Sequence, residues 1–190
     1  MPEICLRRSC RSYLPTPVAT GAIQRILDAG CGAPSGANQQ PWHMVVVNSP
    51  EQRRVIRDVC EQADRTFHNN ASAEIREWLA DHNITTDKPF LTGAPALIAV
   101  FYDPKLPYSL HSVWIAIGFM LLQVTREGLA SLPYTPSAAN VRDIVGVPAD
   151  FQLAAILPVG FPRETIRQPR KPSSETQSWN VYGAARESTE

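Results

Sequence analysis

The sequence predicts an α+β fold, and three observations carry that expectation. Helical and strand-like segments are interspersed along the 190 residues, with the longest apolar helix near the middle. The strand candidates are short apolar runs, one of them bounded by Pro95 and Pro104. No G-x-G-x-x-G opens a helix after a strand, which argues against a doubly wound dinucleotide-binding sheet. The length suits one domain, 1–190, large enough to bury a core.

Taken in order, an arginine-rich start is broken by Pro15 and Pro17, and a helix is expected from about Thr20 to Cys31. Ile23, Ile26, Leu27 and Cys31 share one face of it. A loop from Pro34 to Pro41 leads to a short strand, Met44 to Val47. Ser49, Pro50 and Gln52 supply the cap, first turn and capping box of a helix to about Gln62. Its core face is expected to hold Val55, Ile56, Val59 and Cys60. The polar stretch from Ala63 to Asp87, with a partial helix around Glu74 to Leu79, reads as mobile. With the residues up to Pro95 it forms a lid region, 63–95. Trp78 within it reads as core packing.

A strand follows from Ala96 to Tyr102, then the long helix from Ser109 to Glu127, stopped by Gly128. That helix is apolar nearly all round, so one side faces the core and another side a partner subunit. A short strand, Leu129 to Leu132, a helix, Ala138 to Val145, and a strand, Leu153 to Val159, complete the core. The stretch 163–190, rich in proline, serine and charge, reads as an extended arm.

Composition narrows the function. Eighteen basic residues cancel eighteen acidic ones, which favours neither nucleic acid nor an anionic membrane as partner. The apolar stretch Val113 to Val124 is too short to span a bilayer, and Met1 to Arg11 has no apolar signal region. A cytoplasmic protein is expected. Cys5, Cys10, Cys31 and Cys60 form no C-x-x-C pair and have no histidine cluster at ligand spacing, so no metal site is expected. Cys31 and Cys60 read as buried thiols. Cys10, among arginines, would have its thiol pKa lowered by their charge.

The chemistry concentrates in two stretches. Arg7, Arg8 and Arg11 place three guanidinium groups within five residues, in a chain of zero net charge. Their planar, forked donors suit phosphate oxygens. Pro34 to Pro41 mixes proline, glycine, serine and asparagine, residues that bring backbone N–H groups near a ligand. Together they point to a phosphorylated cofactor with a polar loop beside it.

Five landmarks in order then resemble the FMN-dependent nitroreductase superfamily, and within it the iodotyrosine deiodinases of soluble, bacterial type. They are Arg7-Arg8-Ser9-x-Arg11, the block from Ala33 to Trp42, Lys88-Pro89-Phe90-Leu91-Thr92-Gly93-Ala94-Pro95, Tyr134-Thr135-Pro136, and Leu157 to Pro162. Alone, each has a plain structural reading: solvated arginines, a loop, a turn. Their joint order favours the functional one.

The resemblance implies a nitroreductase-like fold: a central mixed sheet flanked by helices, in a domain-swapped homodimer with FMN at the interface. Arg7, Arg8, Ser9 and Arg11 would hold FMN by its phosphate and pyrimidine edge, and Arg170 would return to the phosphate. Pro34, Ser35 and Asn38 would line the flavin of the neighbouring site. Thr135 matches the threonine whose hydroxyl reaches flavin N5 and favours one-electron steps. The Ala37 backbone N–H would hold a substrate phenolate. In that family a glutamate, a tyrosine and a lysine of the lid clamp the substrate's amino-acid end. Lys88 matches the lysine, whereas the tyrosine position holds Phe67 and the glutamate position holds Ala63, with Glu61 or Asp64 near enough to substitute. The implied function is reductive dehalogenation of a halotyrosine or related halophenol, with NAD(P)H as electron donor, directly or through a reductase. The missing tyrosine and glutamate leave a broad NAD(P)H-dependent nitroaromatic or quinone reductase as the alternative. Flavin fragmentation, as in the related cobalamin-ligand synthase, or a non-catalytic flavin carrier has no specific feature in its favour.

Overall fold

A computed structural model describes residues 2–136, 139–164 and 169–183. Its centre is an antiparallel sheet of strands β1 (Trp42–Val47), β2 (Ala96–Tyr102) and β3 (Gln152–Val159), with β2 in the middle. Six of the seven β2 residues are buried, because helices cover both faces of the sheet. The period of two divides them: Leu97, Ala99 and Phe101 enter one core, and Ala96, Ile98 and Val100 the other.

On the second face lie α2 (Thr20–Cys31) and α6 (Ser109–Arg126). Ile23 and Ile26 of α2 pack with Val113, Ile117 and Met120 of α6. Gly30 permits the close approach, since a Cβ there would stand 2.8 Å from side-chain atoms of both Met120 and Met44. Gly128, at φ +70, ends α6. The first face is covered by α3 (Pro50–Asn70), α5 (Phe90–Gly93) and α7 (Val141–Ile144), with Ile56, Cys60, Phe90, Leu91 and Val141 buried there. A short α1 (Pro2–Leu6) precedes the arginines, and α4 (Ala73–Asp81) follows α3.

Beyond β3, residues 130–134 run antiparallel to it through the bridges Ala130–Gly160 and Tyr134–Ile156. Ser9 then pairs in parallel with Ser131, so pairing of both senses occurs at this edge. The arginine segment and Thr135 are thereby fastened to one side of the sheet. Among the described residues no helix is long and apolar enough to cross a membrane, and no cluster of metal-ligating side chains occurs.

Several expectations need correction. The capped helix does not stop near Gln62; it runs on to Asn70, with the Ser49 hydroxyl accepting from the Gln52 N–H as expected. Its buried face is Arg53, Ile56, Cys60, Glu61 and Asp64, which turns Val55 outward. The partial helix of the lid extends over Ala73–Asp81, and Trp78 is exposed there, stacked on His82 at 4.4 Å rather than packed in the core. Cys31 is exposed, because the buried row of α2 runs through Ile23, Ile26 and Gly30 and Cys31 stands one residue past it. The strand over Leu129 to Leu132 reduces to isolated bridges, and the following helix to Val141–Ile144. The expected helix start at Ala138 lies outside the described residues, as do 165–168 and 184–190 of the expected arm. The described part of that arm has a single helical turn, Ser173–Glu175.

Candidate active site

The first cavity is built on the chain just past α1. The Arg7 N–H closes that helix on the Glu3 carbonyl at 2.8 Å, and the Cys10 N–H donates to Ser131 at 3.2 Å. The intervening residues line a 460 Å³ cavity that contains Arg8, Ser9 and Arg11, joined from the far end of the chain by Arg170. Arg8 Nη1 donates to the carbonyls of Cys5 and Arg7, both at 2.6 Å. Its Nε is buried without a hydrogen-bond partner. Burial, then Arg170, then Arg8 hold the Arg7 guanidinium below its ordinary pKa. Glu164 also lines the cavity, but Arg8, Arg11 and Arg170 outnumber it, and their guanidinium groups with the Ser9 hydroxyl fit the phosphate of a flavin mononucleotide. Cys10 also lines this cavity, but its thiol is pushed up, since burial outweighs the arginine charge expected to lower it.

A second cavity of 790 Å³ adjoins the first, and Arg11 lines both. Thr135, exposed at the end of the bridge segment, shares it with Phe67 of α3 and with Lys88. Lys88 is no solvated loop lysine; its ammonium is buried against Asp64 at 3.0 Å and also donates to the Thr85 carbonyl. Glu61 does not line the cavity. Its carboxylate faces Arg57 at 2.6 Å and accepts from the Lys88 backbone N–H at 2.7 Å. Burial opposes its charge, yet the Lys88 N–H and the Arg57 and Arg65 guanidinium groups prevail and hold its pKa below the ordinary carboxylate value. Of the two acids near the clamp, Asp64 reaches into the cavity and Glu61 fixes the backbone behind it.

The Pro34–Pro41 loop stands elsewhere. Ala37, Asn38 and Gln40 all hold positive φ, at 50, 56 and 48°, although none is glycine. Such backbone persists only where its surroundings impose it. Here the Gly36 N–H donates to Ser112 Oγ of α6 at 3.2 Å, and the Gln40 N–H to Ser35 Oγ at 3.0 Å. Pro34, Ser35, Ala37 and Asn38 line neither cavity. Within one chain, then, Arg8, Ser9, Arg11, Arg170, Thr135, Phe67 and Lys88 line the two joined cavities, whereas Arg7 and this loop line neither.

Tyr134 escaped the candidate set although it stood in a quoted motif. Its hydroxyl donates to Asp64 at 2.9 Å, and its ring lies 5.6 Å from the Lys88 ammonium. Asp64 was legible as one of two substitutes, and the spacing Ile56, Cys60, Asp64 marks it as one more turn of the same buried face.

Comparison with known proteins places the fold in a family. The nitroreductase family model matches residues 4–161. An iodotyrosine deiodinase of Thermotoga neapolitana is 42% identical over 144 residues, covering 75% of this chain and 76% of its own. One of Haliscomenobacter hydrossis is 36% identical over 177 residues, covering 86% and 79%. A crystal structure of oxidised iodotyrosine deiodinase bound to FMN and 3-iodo-L-tyrosine superposes with a TM-score of 0.85 at 33% identity, covering 97% of this chain and 98% of that one. The chain belongs to the nitroreductase family, in the branch of the iodotyrosine deiodinases.

Proposed function

We propose that this chain is an FMN-dependent oxidoreductase that reductively removes halogen from a halotyrosine or a related halophenol. The observation that carries the proposal is the sharing of Arg11 between the two cavities. A ligand anchored by its phosphate among Arg8, Ser9, Arg11 and Arg170 would extend toward Thr135, with Lys88 and Phe67 beyond it. Bound and reduced, FMN would supply two electrons which, with one proton, replace the carbon–halogen bond by carbon–hydrogen and release halide.

The protein's part is to hold and orient. Arg7 and its neighbours keep positive charge where the cofactor carries negative charge. Thr135 offers a hydroxyl to the flavin ring. Lys88, kept in place by Asp64 from the side and Glu61 from behind, offers its ammonium to the substrate carboxylate. Phe67 stacks on the aryl ring, and residues 63–95 serve as the lid. NAD(P)H, directly or through a reductase, restores the reduced state.

Two observations support a homodimer that shares its sites, with 163–190 as the arm. Leu110, Trp114, Ile115 and Phe119 of α6 are exposed on adjacent helical rows, an apolar face that a second copy would cover. The loop carrying Pro34, Ser35, Ala37 and Asn38 lies beside this helix and away from its own chain's cavities. Across the interface it would complete the partner's site, with the Ala37 N–H at the substrate phenolate. Exposed free thiols at Cys5 and Cys31 suit a reducing, cytoplasmic setting.

Binding of 3-iodo-L-tyrosine and of 2-iodophenol to the FMN-loaded protein, followed by flavin fluorescence and iodide release, tests the proposal. Tight binding of the amino acid with iodide release supports it. Binding of the bare phenol alone, without release, moves the case to a broad nitro or quinone reductase, which the hydroxyl-free ring of Phe67 would suit.

A further inference from the structure

Asp64 and Asp87 are the carboxylates that line the larger cavity, and they stand in opposite circumstances. Asp64 is buried and already engaged, with the Lys88 ammonium at 3.0 Å and the Tyr134 hydroxyl at 2.9 Å among its contacts. Asp87 is exposed, and its hydrogen bonding is through the backbone, the Thr85 hydroxyl donating to its carbonyl at 3.4 Å. Its carboxylate has no hydrogen-bond or ion-pair partner among the described residues.

The chain on either side of that carboxylate is nevertheless fixed. Ahead of it, the Thr85 carbonyl accepts from the Lys88 ammonium. After it, the Lys88 N–H donates to Glu61 Oε1 at 2.7 Å, and Pro89 disfavours a helical Lys88. An acid carried on pinned backbone loses little freedom when a cation arrives.

The charges of the wall then decide what the cavity takes. Lys88 and Asp64 balance each other, and Arg11 is shared with the phosphate cavity. Lys88 keeps one N–H beyond those serving Asp64 and Thr85, enough to meet a ligand carboxylate, but its charge is already answered. The unanswered charge at this end of the cavity is negative and belongs to Asp87. A cationic ligand group gains an attraction there that a carboxylate does not.

We propose that Asp87 is a specificity-determining residue that receives the ammonium of the substrate, so that a halogenated phenol bearing an amine is selected over one bearing only a carboxylate. This rests on the reading of the larger cavity as the substrate site. 3-Iodo-L-tyrosine and 3-iodotyramine fall within the selected class. 3-(4-Hydroxy-3-iodophenyl)propanoate, which keeps a carboxylate and lacks the amine, and 2-iodophenol fall outside it.

The test measures these compounds against the FMN-loaded wild type, Asp87→Asn and Asp87→Lys, at about pH 8, where histidine is ordinarily neutral and His68 and His82 add no charge. Binding is read from flavin fluorescence and turnover from released iodide. The wild type should favour both amines over the propanoate by about tenfold, the effect of one charged contact at a partly exposed position. Asp87→Asn should erase that preference and leave the propanoate unchanged, and Asp87→Lys should reverse it. A propanoate that equals the amines in the wild type, or a preference that survives in Asp87→Asn, would overturn the proposal. Equal weakening of every compound in Asp87→Asn would show a structural role and also overturn it. Binding in the expected order without iodide from any compound would sink the dehalogenase reading and leave the Asp87 assignment standing. If no compound binds, both fall.

Discussion

Arg170 and Arg7, from opposite ends of the chain, are near enough that the charge of one depresses the pKa of the other. Burial is the larger cause, but two guanidinium groups are not brought together without a reason outside themselves. On the reading proposed above, a dianionic phosphate would supply one, relieving the repulsion between the two groups.

Replacing Arg8 with Ala should therefore weaken FMN retention. Hydrogen bonds to a charged group contribute about 1.5–3 kcal/mol, so the dissociation constant should rise about ten- to a hundredfold. Flavin-to-protein absorbance ratio after gel filtration measures this. A variant that stays fully yellow would show that the phosphate lies elsewhere.

Thr135→Ala should reduce the one-electron-reduced flavin seen during stepwise reduction with 3-iodo-L-tyrosine present. Iodide release should slow by about tenfold, the effect of losing a hydrogen bond of roughly 1.4 kcal/mol. Unchanged spectra would remove the threonine from the electron-transfer argument.

Glu61→Gln should lower stability at neutral pH by about 1–2 kcal/mol, through the loss of a charged acceptor for Lys88 N–H and Arg57. The folded pKa lies below the unfolded one, so this contribution is complete above the unfolded value and fades as pH falls through the folded value. Urea unfolding from pH 7 down to 3 should show wild type and variant converging in acid. Parallel curves at all pH values would contradict the assignment.

Phe119→Asp and Trp114→Asp should convert a dimer to monomers in analytical ultracentrifugation, with loss of bound FMN at the same protein concentration. Both side chains are about 40% exposed on α6, so neither change disturbs the core of the chain. Retention of the dimer would place the interface on another face.

Much of this was readable in advance, and the exceptions share a cause. The limits of α2 and β2 match expectation residue for residue, because apolar periodicity and proline mark them. The α3 boundary failed at Gln62 because its next buried positions are Glu61 and Asp64. Charged residues look like solvent-facing ones until a partner is known, and that partner, Lys88, arrives from a later segment. Val55 was assigned inward for the converse reason: an apolar side chain one-quarter turn off the true stripe. Tyr134 was missed because a hydroxyl hydrogen bond to Asp64 leaves no periodic trace. The arginine cluster and Thr135 were found by local composition and by resemblance; their shared wall, Arg11, is a property of the folded chain alone.

The length of α3 has a further consequence. Its 21 residues form a rod about 31 Å long at 1.5 Å per residue, capped at Ser49 and carrying Asp64 near its far end. Residues 71–84 lie beyond that rod, on a largely exposed stretch ahead of the Thr85 carbonyl that holds Lys88. A descendant lineage can lengthen, shorten or recompose them without displacing the charge pair underneath. The rim can thus change shape while the Asp64–Lys88 pair beneath is held by its own burial.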